Sequence, residues 1–244
     1  MKAIINIVRR EISAYFVTPL AYVFLVIFLV MTAVFTFYLG SFYERGIADL
    51  GPFFRFHPWL FLFLVPAISM RLWAEERKSG TIELLLTLPL TLWQVVLGKF
   101  LAAWLFLGLA LALTVPVWLT VNYLGDPDNG VILAAYIGSW LMAGGFLAIG
   151  SCMSAVTRSQ VVAFILSVVV CFVFLLSGLP MVMNLFAGWA PQLVMDGIAS
   201  LSFLAHFADI SKGVIDLRDL LYFLLVISFW LILNTVVLEM KKAD

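Results

Sequence analysis

The sequence predicts an all-α integral membrane protein with six transmembrane helices, and three observations carry that prediction. Of the 244 residues, 64% are hydrophobic and only 11% are charged, against roughly 25% charged in soluble domains, so the charges are too few to coat a globule of this size. Charge-free runs cover 12–43, 56–70, 100–125, 129–157, 159–195 and 220–238, and about 20 apolar residues suffice to cross ~30 Å of hydrocarbon. Blocks such as LFLGLALALTVPVWL do not alternate polar with apolar as barrel strands do. Helices fit, because each satisfies its own backbone hydrogen bonds in lipid. The 14 basic and 14 acidic residues cancel, which leaves no basic surface for nucleic acid. Two cysteines and two histidines are too few for a disulfide framework or a His/Cys metal cluster.

Taken in order, residues 1–17 form an amphipathic helix expected to lie in the inner headgroup layer of the lipid bilayer. Ile4, Ile5, Val8, Ile12, Tyr15 and Phe16 share one face, and Lys2, Asn6, Arg9, Arg10 and Ser13 the other. Lys2, Arg9 and Arg10 are the candidate membrane-interface anchors. Glu11 falls near the apolar side; a partly solvated carboxylate and a partner on a neighbouring segment are both open readings. Thr18-Pro19 breaks this helix. Spans are then expected at about 18–41, 52–73, 92–123, 131–156, 161–183 and 217–238. The second includes Arg55 and Arg71 near its ends, where long side chains reach the headgroups.

The run 159–195 exceeds one span, so about 184–202 reads as a small outer interfacial or re-entrant segment, in which Asn184, Gly188, Pro191 and Asp196 oppose another crossing. Six spans put both termini on one side. With the termini in the cytoplasm, ten Lys and Arg residues lie inside and only Arg45, Arg55, Lys212 and Arg218 outside, the bias of a multi-pass plasma-membrane protein. Pro66 and Pro116 suggest kinks within spans. Gly144, Ala148 and Cys152, with Gly150 and Ser154, recur four apart and suit close helix approach, either within the chain or between subunits. Asp216 is expected to cap the sixth span. Cys152 and Cys171 read as small apolar residues, and His57 and His206 are placed near the outer surface without ligand-spaced partners.

The informative stretch is 74–91, AEERKSGTIELLLTLPLT, with seven charged or hydroxyl side chains between Glu75 and Glu83. Lys78-Ser79-Gly80 ends a helix, with Gly80 suited to the left-handed conformation. Thr81 can cap the next helix, and Glu83 sits where its dipole favours an anion. Ile82, Leu84, Leu85, Leu86 and Leu88 make that short helix apolar almost all round, and Pro89 stops it. Thr91-Leu92-Trp93-Gln94 is a capping box. An exposed leucine helix must dock, either on the membrane or in a groove of a soluble partner.

The segment EERKSGTIELLLTLPLTLWQVVLGKF resembles the one that marks ABC-2 type transporter permeases, the membrane subunits of ATP-driven exporters. The pattern is a glutamate pair, basic residues, Gly-Thr, an acid, a leucine run and Pro, supplied here by Glu75, Glu76, Arg77, Gly80, Thr81, Glu83, Leu84, Leu85 and Pro89. HFADISKGVIDLRDLLYF, residues 206–223, is similar to the gliding-motility-associated (Gld-type) branch. The resemblance implies a single permease domain over 1–244, whose 74–91 loop bears a coupling helix seated in a cleft of an ATP-binding subunit. Two such subunits and a second permease, identical or a sister chain, are implied. Carried over, Gly80 and Thr81 shape the turn, Glu75, Glu76 and Glu83 make polar contacts, and the leucines fill apolar space. ATP and Mg would sit on the partner; the resemblance implies no cofactor, metal or catalytic residue here, and the chain has no G-x-x-x-x-G-K-[ST] phosphate loop. The small outer loops leave external recognition to an extracytoplasmic auxiliary protein. Two competing readings carry a requirement the sequence does not meet. A secondary, ion-coupled transporter keeps ionisable groups in mid-span, and an intramembrane enzyme needs a nucleophile with a base, or a metal with ligands.

Overall fold

The computed structural model describes residues 2–81, 90–186 and 191–241, and among them all regular structure is helical. Helix α1 (Lys2–Val17) ends at Thr18, which is extended because a proline follows. Pro19 opens α2 (Pro19–Ala33), which continues as a π-helical turn, Val34–Leu39. There the Thr32 and Thr36 hydroxyls donate to the carbonyls four residues back, each at 2.7 Å. The stretch 51–79 is helical in three pieces, α3 (Gly51–Arg55), α4 (His57–Ser69) and α5 (Arg71–Ser79). Pro52 and Pro58 stand in first turns, where no amide is missed.

Helices α6 (Leu92–Ala112) and α7 (Val115–Leu124) form one interrupted rod. The kink expected at Pro116 falls at Leu113–Thr114, and Pro116 fills the first turn beyond it. The Thr114 hydroxyl donates to the Leu111 carbonyl at 2.6 Å and meets the Tyr136 hydroxyl at 2.9 Å, which satisfies the break. Asp128 caps α8 (Asn129–Val156) by accepting from the Gly130 and Val131 amides. The chain continues through α9 (Gln160–Leu176), α10 (Pro180–Phe186), α11 (Gln192–Ser200), α12 (Phe203–Ile210) and α13 (Leu217–Met240). Asp216 caps α13, as its position predicts.

Four stretches among the described residues are long and apolar enough to cross a membrane: Ala21–Leu39, Leu92–Leu124, Asn129–Val156 and Leu217–Met240. They coincide with four of the six expected spans. The expected span 52–73 is divided at Phe56 and Met70. The expected span 161–183 becomes α9, whose 17 residues extend about 26 Å, before Ser177-Gly178-Leu179-Pro180 ends it. In the outer segment α11 and α12 bend by 60° at their junction, the geometry of a re-entrant loop or a broken crossing. Residues 187–190 of that segment lie outside the described residues.

Helix α8 is the axle of the bundle. It packs against α4, α5, α6, α9, α12 and α13, and 78% of its apolar window is buried, against 22% for the first span. Small residues permit this. A Cβ on Gly144 would press on the Trp104 indole, and one on Gly150 would collide with the Ser69 hydroxyl. The small-residue pattern of α8 thus serves packing within the chain. Trp104 and Trp140 stack at 4.3 Å, and each indole N–H donates to the other's carbonyl, at 2.9 and 3.1 Å. Val23, Val26 and Val30 of α2 and Leu221, Leu225 and Phe229 of α13 face outward, the apolar surface that lipid covers.

Gly150→Leu is therefore expected to drive α8 off α4 and to cost about 1–3 kcal/mol by overpacking, measured as a lower unfolding temperature in detergent. The same change at Gly197, whose surroundings are open, is expected to leave that temperature unmoved.

Candidate functional site at the root of the 74–91 loop

Helix α5, RLWAEERKS, leads out of the bundle into the loop, and its first turns are fixed by α8. The Ser154 hydroxyl accepts from the Trp73 and Ala74 amides at 3.1 and 3.0 Å and donates to the Met70 carbonyl at 2.8 Å. One side chain therefore satisfies the backbone groups at the break that begins α5. The Trp73 indole is fully buried and donates to the Ser151 hydroxyl at 3.1 Å, which also accepts from the Asn234 amide at 2.8 Å. Arg77 donates to the Ala155 carbonyl at 2.6 Å, and Lys241 to that of Val156. Two cations thus cover the carbonyl end of α8, where the helix dipole favours positive charge.

Beside α5 lies a knot of charge. Lys99, eight positions into α6 and only 3% exposed, places its ammonium 2.7 Å from Glu76 Oε1 and 3.3 Å from Glu11 Oε1. The ammonium also stands 5.5 Å from the centroid of the Trp73 ring, within reach of a cation–π attraction. Arg10 holds Glu11 from the outer side at 2.6 Å. Burial alone pushes the Glu11 carboxyl up, but Lys99 and Arg10 outweigh it, and the group sits below its ordinary value. Glu11, Tyr15, Arg71, Glu75, Glu76 and Lys99 share the wall of a cavity of ≈ 250 Å³ with Phe24 and Phe106.

The knot exists because α1 lies on α6. Ile7 is buried against Gly98, where a Cβ would stand 2.7 Å from Ile7 Cγ2, and Tyr15 stacks on Phe106 at 5.2 Å. Ile7 is buried, and Glu11 is part-buried beside Ile4, Val8, Ile12, Tyr15 and Phe16 of the expected apolar face, while Ile5 of that face is 61% exposed. Glu11 takes the second of its two open readings, a partner on a neighbouring segment. An acid on the apolar side of one helix and a lone lysine preceding a long charge-free run each lack a local partner, which was the signal available in the sequence.

Of the candidate site residues, Lys2, Arg9 and Arg10 lie exposed along α1. Glu75 pairs with Arg71 through two contacts at 2.7 and 2.9 Å, near the surface. Glu76 turns inward onto Lys99, and Arg77 reaches α8. Gly80 is left-handed, φ 73°, and ends α5. Thr81 is exposed, its hydroxyl 2.9 Å from that of Ser79. Glu83, Leu84, Leu85 and Pro89 belong to 82–89, outside the described residues. The Thr91–Gln94 capping box is formed. Sequence reasoning missed Trp73, Lys99, Ser151, Ser154 and Asn234, whose roles depend on long-range contacts.

Both histidines are buried. His57 is fully buried among Phe28, Phe53, Phe54 and Phe61, with Nδ1 2.9 Å from the Ser139 hydroxyl. His206 is buried with Nδ1 2.6 Å from Asp219 Oδ1, a partner thirteen residues away that no ligand spacing would reveal. Among the described residues, no three His, Cys, Asp or Glu side chains gather as a metal site.

A family model described as "ABC-2 family transporter protein" matches residues 5–240. No curated protein matches the chain closely enough to count as a relative.

Lys99→Met strands the Glu11 and Glu76 carboxylates in a buried setting and is expected to cost about 3–5 kcal/mol, as breaking a buried pair does, read from unfolding in detergent. The pH dependence has a defined sign. Because the folded-state value of Glu11 is depressed, its contribution is present above the ordinary carboxylate range and is lost as pH falls through the depressed value. Glu11→Gln is expected to flatten that acid limb of the stability curve.

Proposed function

The chain belongs to the ABC-2 transporter family, and from that membership we propose that this membrane protein is the permease subunit of an ATP-driven exporter. In this reading the spans form the translocation path and a separate chain hydrolyses ATP. Two ATP-binding subunits bind a pair of permeases, identical or sister chains, in the plasma membrane of a bacterium or archaeon, with both termini in the cytoplasm. The resemblance of the stretch 206–223 supports membership of the gliding-motility-associated branch, and the small outer loops leave room for an extracytoplasmic auxiliary protein.

One observation supports the coupling role above the others. In a chain that otherwise avoids charge, α5 carries a polar tip whose root is fastened to α8 through Ser154 and to α6 and α1 through Lys99. Lys78, Ser79, Gly80 and Thr81 stay exposed at its end. A push on such a tip passes into three helices without a slack joint, because buried contacts do not deform gradually. The roles then divide. Glu75, Lys78, Thr81 and Glu83 face the ATP-binding subunit, while Leu84 and Leu85, ended by Pro89, supply the apolar part of the docking helix. Glu76 and Arg77 act as internal fasteners.

Gly80→Pro tests the turn, because proline cannot adopt a positive φ. The variant is expected to insert and fold normally but to lose the ATPase subunit on co-purification or its stimulation by the permease; Glu83→Arg is expected to do the same. Normal transport by both variants at normal expression would refute the docking role. For topology, a cysteine at Ser79 is expected to react only from the cytoplasmic side and one at Asp128 only from outside; both positions are exposed.

A further inference from the structure

The starts of α8 and α13 lie together, since a Cβ on Gly213 would stand 2.8 Å from Val131 Cγ2, while their far ends meet through Ser151 and Asn234. The end that holds Asp216 and Arg218 is therefore opposite the 74–91 loop. Helix α9 stops at Leu176, just after Phe174, whose ring meets Trp230 of α13 at 6.1 Å. From Trp230 back to Leu217, α13 runs on for about 20 Å, and the bent α11–α12 pair stands beside it. A cavity of ≈ 900 Å³ is left there, at the upper end of the roughly 300–1,000 Å³ that ligand sites enclose. Its floor is one face of α13, where Leu217, Leu221, Leu225 and Phe229 recur at helical spacing and are exposed. The groove thus opens sideways to lipid and runs the depth of one leaflet, half of a ~30 Å hydrocarbon core.

The polar groups on its wall divide by position. Those inside are engaged within the protein. His206 places Nδ1 2.6 Å from Asp219 Oδ1 and Nε2 3.0 Å from the Ser200 carbonyl. The Tyr222 hydroxyl donates to the Leu201 carbonyl at 2.5 Å, and the Ser200 hydroxyl to that of Gly197 at 2.8 Å. The middle of the groove therefore suits hydrocarbon, which asks for no hydrogen bond. At the mouth the reverse holds. Asp216 and Arg218 are exposed on the same wall, and Asp216 Oδ1 accepts from the Arg218 amide at 3.3 Å. Among the described residues, however, neither side chain enters an ion pair with the other or with a third group. A lone arginine would accept any anionic head group, but the neighbouring carboxylate repels one that carries negative charge only. The complement of this mouth is a head group with both signs.

We propose that the groove binds one ethanolamine phospholipid from the leaflet opposite the 74–91 loop. Its phosphate accepts from the Arg218 guanidinium, a planar donor matched to phosphate. Its ammonium donates to the Asp216 carboxylate, and one acyl chain lies along Leu221, Leu225 and Phe229. A choline head group carries the same charges, but its quaternary nitrogen has no hydrogen to donate. The site rests on this cavity and on the membrane setting, not on the exporter reading.

Full-length protein in mild detergent is offered equal amounts of dioleoyl phosphatidylethanolamine and dioleoyl phosphatidylcholine, and the retained lipid is counted by native mass spectrometry. Wild type is expected to keep one phosphatidylethanolamine per chain with about tenfold preference, the effect of one charge-assisted hydrogen bond. Asp216→Asn, which still caps α13, is expected to hold the two lipids equally. Arg218→Gln is expected to lower retention of both about tenfold. Leu225→Trp fills the groove without touching its mouth and is expected to retain neither. Leu225 is exposed and Cys152 and Cys171 are buried, so Leu225→Cys reports whether the helix of a second copy lies there instead. No disulfide between copies is expected on oxidation in membranes. The proposal is overturned if wild type retains neither lipid or both alike, or if the preference survives Asp216→Asn. It is equally overturned if retention survives Arg218→Gln or Leu225→Trp, or if Leu225→Cys cross-links two copies.

Discussion

An ammonium in a nearly dry site must be paired, and the pairing of Lys99 constrains the rest of the loop root. Taking such a charge out of water costs several kcal/mol, recovered only with close and well-placed partners. Lys99 is 3% exposed and finds those partners in Glu11 and Glu76, on α1 and α5. One cation therefore makes a single body of three segments that are distant in the chain. The interfacial helix cannot lift, nor α5 swing, without exposing an unpaired charge.

The second fastening is neutral. Along α8, Ser139, Ser151 and Ser154 are fully buried hydroxyls on a helix otherwise built for close approach. They receive His57, the Trp73 indole with Asn234, and the backbone of α5 respectively. Hydroxyls shared between helices are the usual glue where lipid supplies no hydrophobic drive. Because α8 packs against α3, α4, α5, α6, α9, α12 and α13, whatever moves α5 is felt through most of the bundle.

Local chemistry was legible in the sequence. The left-handed Gly80, the Thr91–Gln94 capping box, the Asp216 cap and the break at Thr18-Pro19 all depend on neighbours a few residues away, and all are present. Four spans were legible from apolar length alone. The breaks at Phe56 and Met70 were not, since hydropathy reports what a segment is made of and not where its axis turns. Nor does an amphipathic pattern say whether an apolar face meets lipid or protein, so Ile7, buried against Gly98, went unnoticed. The Lys99 knot and the His206–Asp219 pair join residues 13 to 88 apart, and only the packed helices bring them together. Glu11 came nearest to giving the knot away, as a carboxylate where none should be.

The account turns on α1 and α5 moving as one piece. The direct measurement is the distance between spin labels at Arg9 and Ser79, both exposed, in the complex with its ATP-binding subunit, with and without trapped nucleotide. An unchanged Arg9–Ser79 separation, while Ser79 moves relative to Tyr123 on α7, is the expected result. A separation that shifts with nucleotide would mean that the charge knot does not bind the two helices, and the account would fail.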